Sequence, residues 1–136
     1  MRLASLGAVS LATLTKCKVT DRITHQCPVE TVILAGNDIG DEGASCMAEL
    51  FRKNPAITEC DLSWNNIKKA GAVAIFQAIP MSKISSLDLG YNALGTSTDL
   101  ERVATLALSK LLLSKSTSHL MHLNISHNPL NEKDCR

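Results

Sequence analysis

Ile57-Thr-Glu-Cys60-Asp-Leu62-Ser-Trp-Asn65-Asn-Ile67 is the stretch whose reading decides the fold. Its apolar residues stand at the first, fourth, sixth and eleventh places, and an asparagine stands at the ninth. Cys60 and Leu62 alternate, so both point to one face of a short strand. Ile57 and Ile67 turn inward on either side of that strand. Asn65 falls where the chain bends away, and its side-chain amide can pair with backbone groups that the bend releases. One such unit cannot bury its own apolar face, so it requires a copy above and a copy below.

Copies are present. Val29, Val32, Leu34, Asn37 and Ile39 repeat the order, as do Ile84, Leu87, Leu89, Asn92 and Leu94, and again Leu120, Leu123, Ile125, Asn128 and Leu130. A weaker copy runs from Val9 through Ala12 and Leu14 to Val19, with Cys17 in the asparagine place. Successive ninth places lie 20, 28, 27 and 36 residues apart, from Cys17 to Asn128. Repeats of this consensus run roughly 20–29 residues. The pattern resembles the leucine-rich-repeat superfamily. The long period, with Gly40-Asp-Glu-Gly43-Ala44 after the second copy, resembles its ribonuclease-inhibitor-like class. That class includes ribonuclease inhibitor, the Ran GTPase-activating protein and the repeat regions of NLR sensors. The resemblance implies an α/β solenoid, curved, with a parallel sheet on the concave face, helices on the convex face, and a binding role.

At 136 residues the chain is expected to form a single domain, 1–136. Its repeats are expected at about 9–28, 29–56, 57–83, 84–119 and 120–136, the last incomplete. Helices are expected from Gly43-Ala44, burying Ala44, Met47, Leu50 and Phe51, and from about Ala70 to Ala78. A third should follow the capping box Thr98-Asp-Leu-Glu101 and bury Leu100, Val103, Ala107, Leu111 and neighbouring leucines. Solenoid ends normally carry polar caps. Neither end here does, so a truncated array is expected.

Charge excludes little but points away from nucleic acid: 14 Lys plus Arg stand against 13 Asp plus Glu, with no basic stripe. The five cysteines, Cys17, Cys27, Cys46, Cys60 and Cys135, are odd in number and lack Cys-x-x-Cys spacing. They read as free thiols in a reducing compartment, and the cytoplasm is the expected location, with the nucleus as the alternative. Met1-Arg2 followed by Leu3 to Ala12 imitates a short signal peptide, but cleavage there would remove the Val9 copy. No run reaches the roughly 18 apolar residues of a membrane span.

No catalytic constellation, cofactor motif or small-molecule site is evident. His119, His122 and His127 cluster in sequence, but the register sets His122 and His127 at opposite ends of one strand, too far apart for one metal ion. Asn124-Ile-Ser126 is a formal glycosylation sequon. The informative surface is the side of the strands facing away from the core. Place five reads Thr13, Ile33, Asp61, Asp88 and Asn124; place eight reads Lys16, Gly36, Trp64, Tyr91 and His127; Glu59 adds an acid at place three. The chain has one Trp and one Tyr, residues enriched in binding hot spots, and both fall in the place-eight row. The expected function is therefore a non-enzymatic protein-binding module. Glu59, Asp61, Trp64, Asp88, Tyr91, Asn124 and His127 would meet a partner with a basic surface, while Asn37, Asn65, Asn92 and Asn128 hold the repeats. Competing readings are a regulator of a small GTPase, as the Ran activator resemblance implies, and a segment of a larger NLR-like sensor whose sheet face is merely solvated.

Overall fold

The computed structural model describes residues 2–4, 29–95, 103–115 and 119–129. Three-residue strands alternate with helices: β1 (Arg2–Ala4), β2 (Thr31–Ile33), α1 (Gly40–Lys53), β3 (Glu59–Asp61), α2 (Lys69–Ala78), β4 (Ser86–Asp88), α3 (Val103–Leu113) and β5 (His122–Asn124). The described strands form one parallel sheet in chain order, β1 to β5. Parallel neighbours need a crossover connection, and helices supply it between β2 and β5. The register stacks Leu3, Val32, Cys60, Leu87 and Leu123 side by side. The last four are the fourth places of successive repeats. This is an α/β leucine-rich-repeat fold.

The neighbour of β2 is Arg2–Ala4, with Leu3 opposite Val32. The Val9 register would put Ala12 in that position. Leu3 lies 29 residues before Val32, close to the 28 between Val32 and Cys60, whereas Ala12 lies only 20 before. Twenty residues leave little room for a helix between neighbouring strands. The Val9 copy itself, with Thr13, Lys16 and Cys17, lies outside the described residues, as do the Thr98–Glu101 capping box and Leu130.

The core follows the sequence places. Val29, Ile57 and Ile84 at place one are buried, as are Val32, Cys60 and Leu87 at four, Leu34, Leu62 and Leu89 at six, and Ile39, Ile67 and Leu94 at eleven. One contiguous cluster joins them to Met47, Phe51, Ile75 and Phe76 from the helices. Each fully buried aliphatic or aromatic side chain contributes about 1.5–3 kcal/mol. Turns are too small to bury such groups alone, so this stabilisation exists only between them.

Place nine fastens the turns together. Asn65 Oδ1 accepts the backbone N–H groups of Asn37 and Ile39 at 2.8 and 3.4 Å, while its Nδ2 donates to the carbonyls of Leu34 and Ser63 at 2.8 and 2.9 Å. Asn92 does the same one turn later. Its Oδ1 accepts from Asn65 and Ile67 at 3.0 and 2.9 Å, and its Nδ2 donates to Leu62 and Leu89, each at 3.0 Å. Asn128 accepts from the Leu94 N–H at 3.2 Å and donates to Leu89 and Ile125. Each of these three amides thus satisfies groups in its own turn and in the one before it, while Asn37 Nδ2 donates to Leu34 and Ala35 of its own turn at 2.8 and 3.1 Å. Asn65 is wholly buried and Asn92 nearly so. Only a planar group with both donors and an acceptor can meet this demand at that depth.

The helices add a second inter-turn link. No side chain of its own caps α2; Asp41, from α1, caps it instead, with Oδ1 accepting the N–H groups of Lys68 and Gly71 at 2.8 and 3.0 Å. A Cβ on Gly71 would come within 2.7 Å of that oxygen and 2.8 Å of the Ala44 methyl, so only glycine lets the two helices approach this closely. Helix α1 begins at Gly40, three residues earlier than expected, because Gly40 takes φ +62°, a left-handed turn that aims the chain into the helix. Asn54 ends it in an extended conformation, as a residue before proline should. In α3, Leu111 is buried and Ala107 and Leu108 are partly so, but Leu106, Leu112 and Leu113 are exposed, against the expectation that the neighbouring leucines would pack inward. Apolar residues run round most of the helix, with Thr105, Ser109 and Lys110 the exceptions, so its pattern could not select one inward face.

Urea melts of three variants test this packing. Asn65→Ala should lower stability by about 1–3 kcal/mol, because it strips partners from buried N–H and C=O groups in two turns. Asn66→Gly, at an exposed left-handed position next door, should stay within about 0.5 kcal/mol. Gly71→Ala should cost about 1–3 kcal/mol by forcing α1 and α2 apart. Equal losses at Asn65 and Asn66 would contradict the ladder.

Candidate functional site

On the sheet face turned away from the helices, side chains from places three and five alternate with the buried fourth place. Place five has a local task that its charge conceals. Asp61 Oδ1 accepts the N–H of Ser63 at 2.9 Å and its hydroxyl at 2.7 Å. Asp88 Oδ1 accepts the Gly90 N–H at 2.8 Å, and Asn124 Oδ1 accepts the Ser126 N–H at 3.0 Å. Each is an Asx-turn that bends the chain out of its strand. Asn124 also donates to Asp88 Oδ2 at 3.0 Å, so the asparagine of the formal sequon is engaged in the sheet. Glu59 accepts from the Thr31 hydroxyl at 3.1 Å. One oxygen of each aspartate therefore holds a turn, which neither the binding reading nor the solvated alternative anticipated. Asp61 and Asp88 face each other in register, and like charges so placed destabilise a sheet. Beneath them, burial and then the Asp61 charge push the Cys60 thiol far above its ordinary range, so it stays protonated and acts as a small apolar side chain.

Place eight is more unusual. Gly36, Trp64, Tyr91 and His127 all have positive φ, at 72°, 57°, 53° and 54°. The chain must turn sharply there, left-handed, to leave the strand. Glycine does this freely, whereas each L-residue with a Cβ carries a cost of roughly 1–2 kcal/mol. At three of these four positions the residue is nonetheless a large ring. The rings stack in a row: Trp64 on Tyr91 with centroids 4.0 Å apart and planes 9° from parallel, then Tyr91 on His127 at 4.0 Å and 6°. Stacked aromatic pairs contribute about 0.5–1.5 kcal/mol beyond their buried area. Three strained positions stand against two stacked pairs, so strain is the larger of the two. The row remains open to solvent, with Trp64 60% and Tyr91 40% exposed.

The structure thus brings Trp64, Tyr91 and His127 into one stack beside Asp61, Asp88 and Asn124, with Glu59 on the same face. His122 is exposed at the start of β5, His127 lies three residues past its end, and His119 is half-buried. Among the described residues no three metal-ligating side chains gather, and no helix is long and apolar enough to cross a membrane. Sequence reasoning set Gly36 in the place-eight row and Ser126 in the sequon but gave neither a role at the turn, and it did not single out Ser63 or Gly90. A signal was present in Asp61-Leu-Ser63, Asp88-Leu-Gly90 and Asn124-Ile-Ser126, one motif repeated in register.

Comparison with known proteins agrees with this geometry. A family model described as Leucine Rich repeat matches residues 25–48, 53–76 and 117–134. The chain is 31% identical over 108 residues to RAN GTPase-activating protein 2 of Arabidopsis thaliana, an alignment covering 78% of this chain. It spans 18% of that relative's length. With its period, parallel sheet and asparagine ladder, the chain belongs to the leucine-rich-repeat superfamily in its ribonuclease-inhibitor-like form, a family of protein-interaction modules that are generally non-enzymatic.

Proposed function

We propose that this chain binds a partner protein on the open sheet face, through Trp64 and Tyr91, with Glu59, Asp61 and Asp88 selecting a basic surface. The observation that carries the reading is the aromatic row at left-handed positions. Backbone strain that buys little stability is expected where a side chain serves a ligand. Trp and Tyr dominate binding hot spots because their rings supply large contact area. Across β2 to β5 the face carries three carboxylates and no lysine or arginine at places three and five. Charge of one sign steers an oppositely charged partner and raises its on-rate. Binding needs no metal or cofactor. A reducing compartment such as the cytoplasm suits a chain in which Cys46 and Cys60 are unpaired thiols.

A second reading is regulation of a GTPase, supported by the similarity to RAN GTPase-activating protein 2. Adding the chain to GTP-loaded Ran separates the two. Acceleration of hydrolysis favours the second reading, and hydrolysis at the intrinsic rate favours a module that binds without activating.

Trp64→Gly is the decisive variant for the first reading. It relieves a left-handed tryptophan while deleting one stacked ring, so stability should change by less than about 1 kcal/mol. Partner binding should fall by about 2 kcal/mol or more. Asp61→Asn with Asp88→Asn keeps both turns, as Asn124 already does, but removes two charges. Association should then slow and lose salt dependence. Melts, with kinetics at two salt concentrations against a partner captured on the immobilised chain, provide the check. A Trp64→Gly chain that melts early and binds normally would show the row to be structural.

A further inference from the structure

The aromatic row ends abruptly. Tyr91 has a ring on each side, Trp64 and His127. Trp64 has a ring on one side only among the described residues, and the sheet order puts Gly36 on the other. Gly36 has the same left-handed backbone as the three ring-bearing positions but contributes no side chain. A Cβ there would meet nothing within 4 Å. Among the described residues the row therefore has an empty place one strand spacing wide, about 4.8 Å. On its far side the same indole is filled at 4.0 Å by a single planar ring.

We infer that this place receives an arginine side chain of the partner protein, its guanidinium lying flat on the outer face of Trp64 above Gly36. The inference rests on the proposed binding face and names what that face recognises. Two properties select the ligand. The vacant place lies against one flat, exposed ring face, and a planar guanidinium can lie flat on it whereas an ammonium cannot. The indole face is electron-rich and is the strongest cation–π acceptor among the aromatic side chains. The surroundings are acidic: Glu59 and Asp61 share the strand that leads to Trp64, and Asp38, exposed, lies two residues beyond Gly36. The Asx-turn at Asp61 uses Oδ1, and Oδ2 has no hydrogen-bond partner among the described residues. A stacked guanidinium keeps its N–H donors in its own plane, parallel to the indole and directed outward from its edge toward such oxygens.

The chain contains one tryptophan, so the indole N–H resonance reports on this slot alone. The full chain is titrated with N-acetyl-arginine amide and with the lysine and citrulline counterparts. Citrulline is planar but neutral, and lysine is charged but not planar. The arginine compound should shift the indole resonance saturably, and the other two should bind about tenfold more weakly. Equal binding of lysine would overturn planar stacking, and equal binding of citrulline would overturn the cation. Asparagine tolerates left-handed backbone, so Gly36→Asn should cover the indole and abolish the arginine shift without changing far-UV dichroism. A captured partner that is lost with Trp64→Gly yet retained with Gly36→Asn would overturn the slot and leave the binding face standing. A partner indifferent to both would overturn both.

Discussion

The structure depends on one buried side-chain amide repeated at a fixed place. In each turn the backbone must stop pairing with its neighbours as a strand and bend toward a helix, and the bend strands N–H and C=O groups inside the protein. Asn65 and Asn92 meet those groups in two turns at once, accepting from the turn before and donating to carbonyls of both. Hydrophobic burial between turns supplies most of the stabilisation, but it is non-directional and would tolerate a slip. The amides fix the register. With the register fixed, Val32, Cys60, Leu87 and Leu123 align, and so do the surface rows that alternate with them.

The surface rows inherit their geometry from that ladder. Place eight immediately precedes place nine, so holding the asparagine inward forces the residue before it into a left-handed turn. Four successive place-eight positions share this backbone, and three of them project rings that meet at the same 4.0 Å spacing. The place-five Asx-turns shape the same bend from the other side, since each carboxylate or amide oxygen takes the N–H two residues on. The acids consequently do two jobs. They close the turn with one oxygen, and they give the face its charge. Asparagine at 124 performs the first job without the second, which is why the Asp61 and Asp88 charges require a further explanation.

Much of this was legible in the sequence because places one, four, six, nine and eleven each answer to a strict physical demand. The alternation of Cys60 and Leu62 assigns the strand face, and the recurrence of asparagine assigns the bend. The stacking of Trp64, Tyr91 and His127 follows from equal place numbers in adjacent strands. Other features were not legible. Left-handed φ at Trp64 and Tyr91 runs against the preferences of those residues, so composition argues for glycine there. The cap that Asp41 gives to α2 joins residues 27 and 30 apart in sequence, and no local pattern marks it. The pairing of Arg2–Ala4 with β2 was not anticipated, because those residues lie outside the repeat register read from Val9, a stretch outside the described residues. The face that α3 presents was obscured by apolar residues round most of the helix.

Hydrogen exchange at single amides tests the central claim most directly. The Asn65 and Ile67 N–H groups lie past the end of β3, outside regular secondary structure, and each bonds to the Asn92 side chain. If the amide ladder locks the turns together, both should exchange only through global unfolding, with the same free energy of opening as the buried Leu62 amide, which bonds to the Asp88 carbonyl of β4. Exchange of Asn65 and Ile67 by local opening, orders of magnitude faster than Leu62, would show that the turns are held by apolar packing alone and that the asparagines follow the register without setting it.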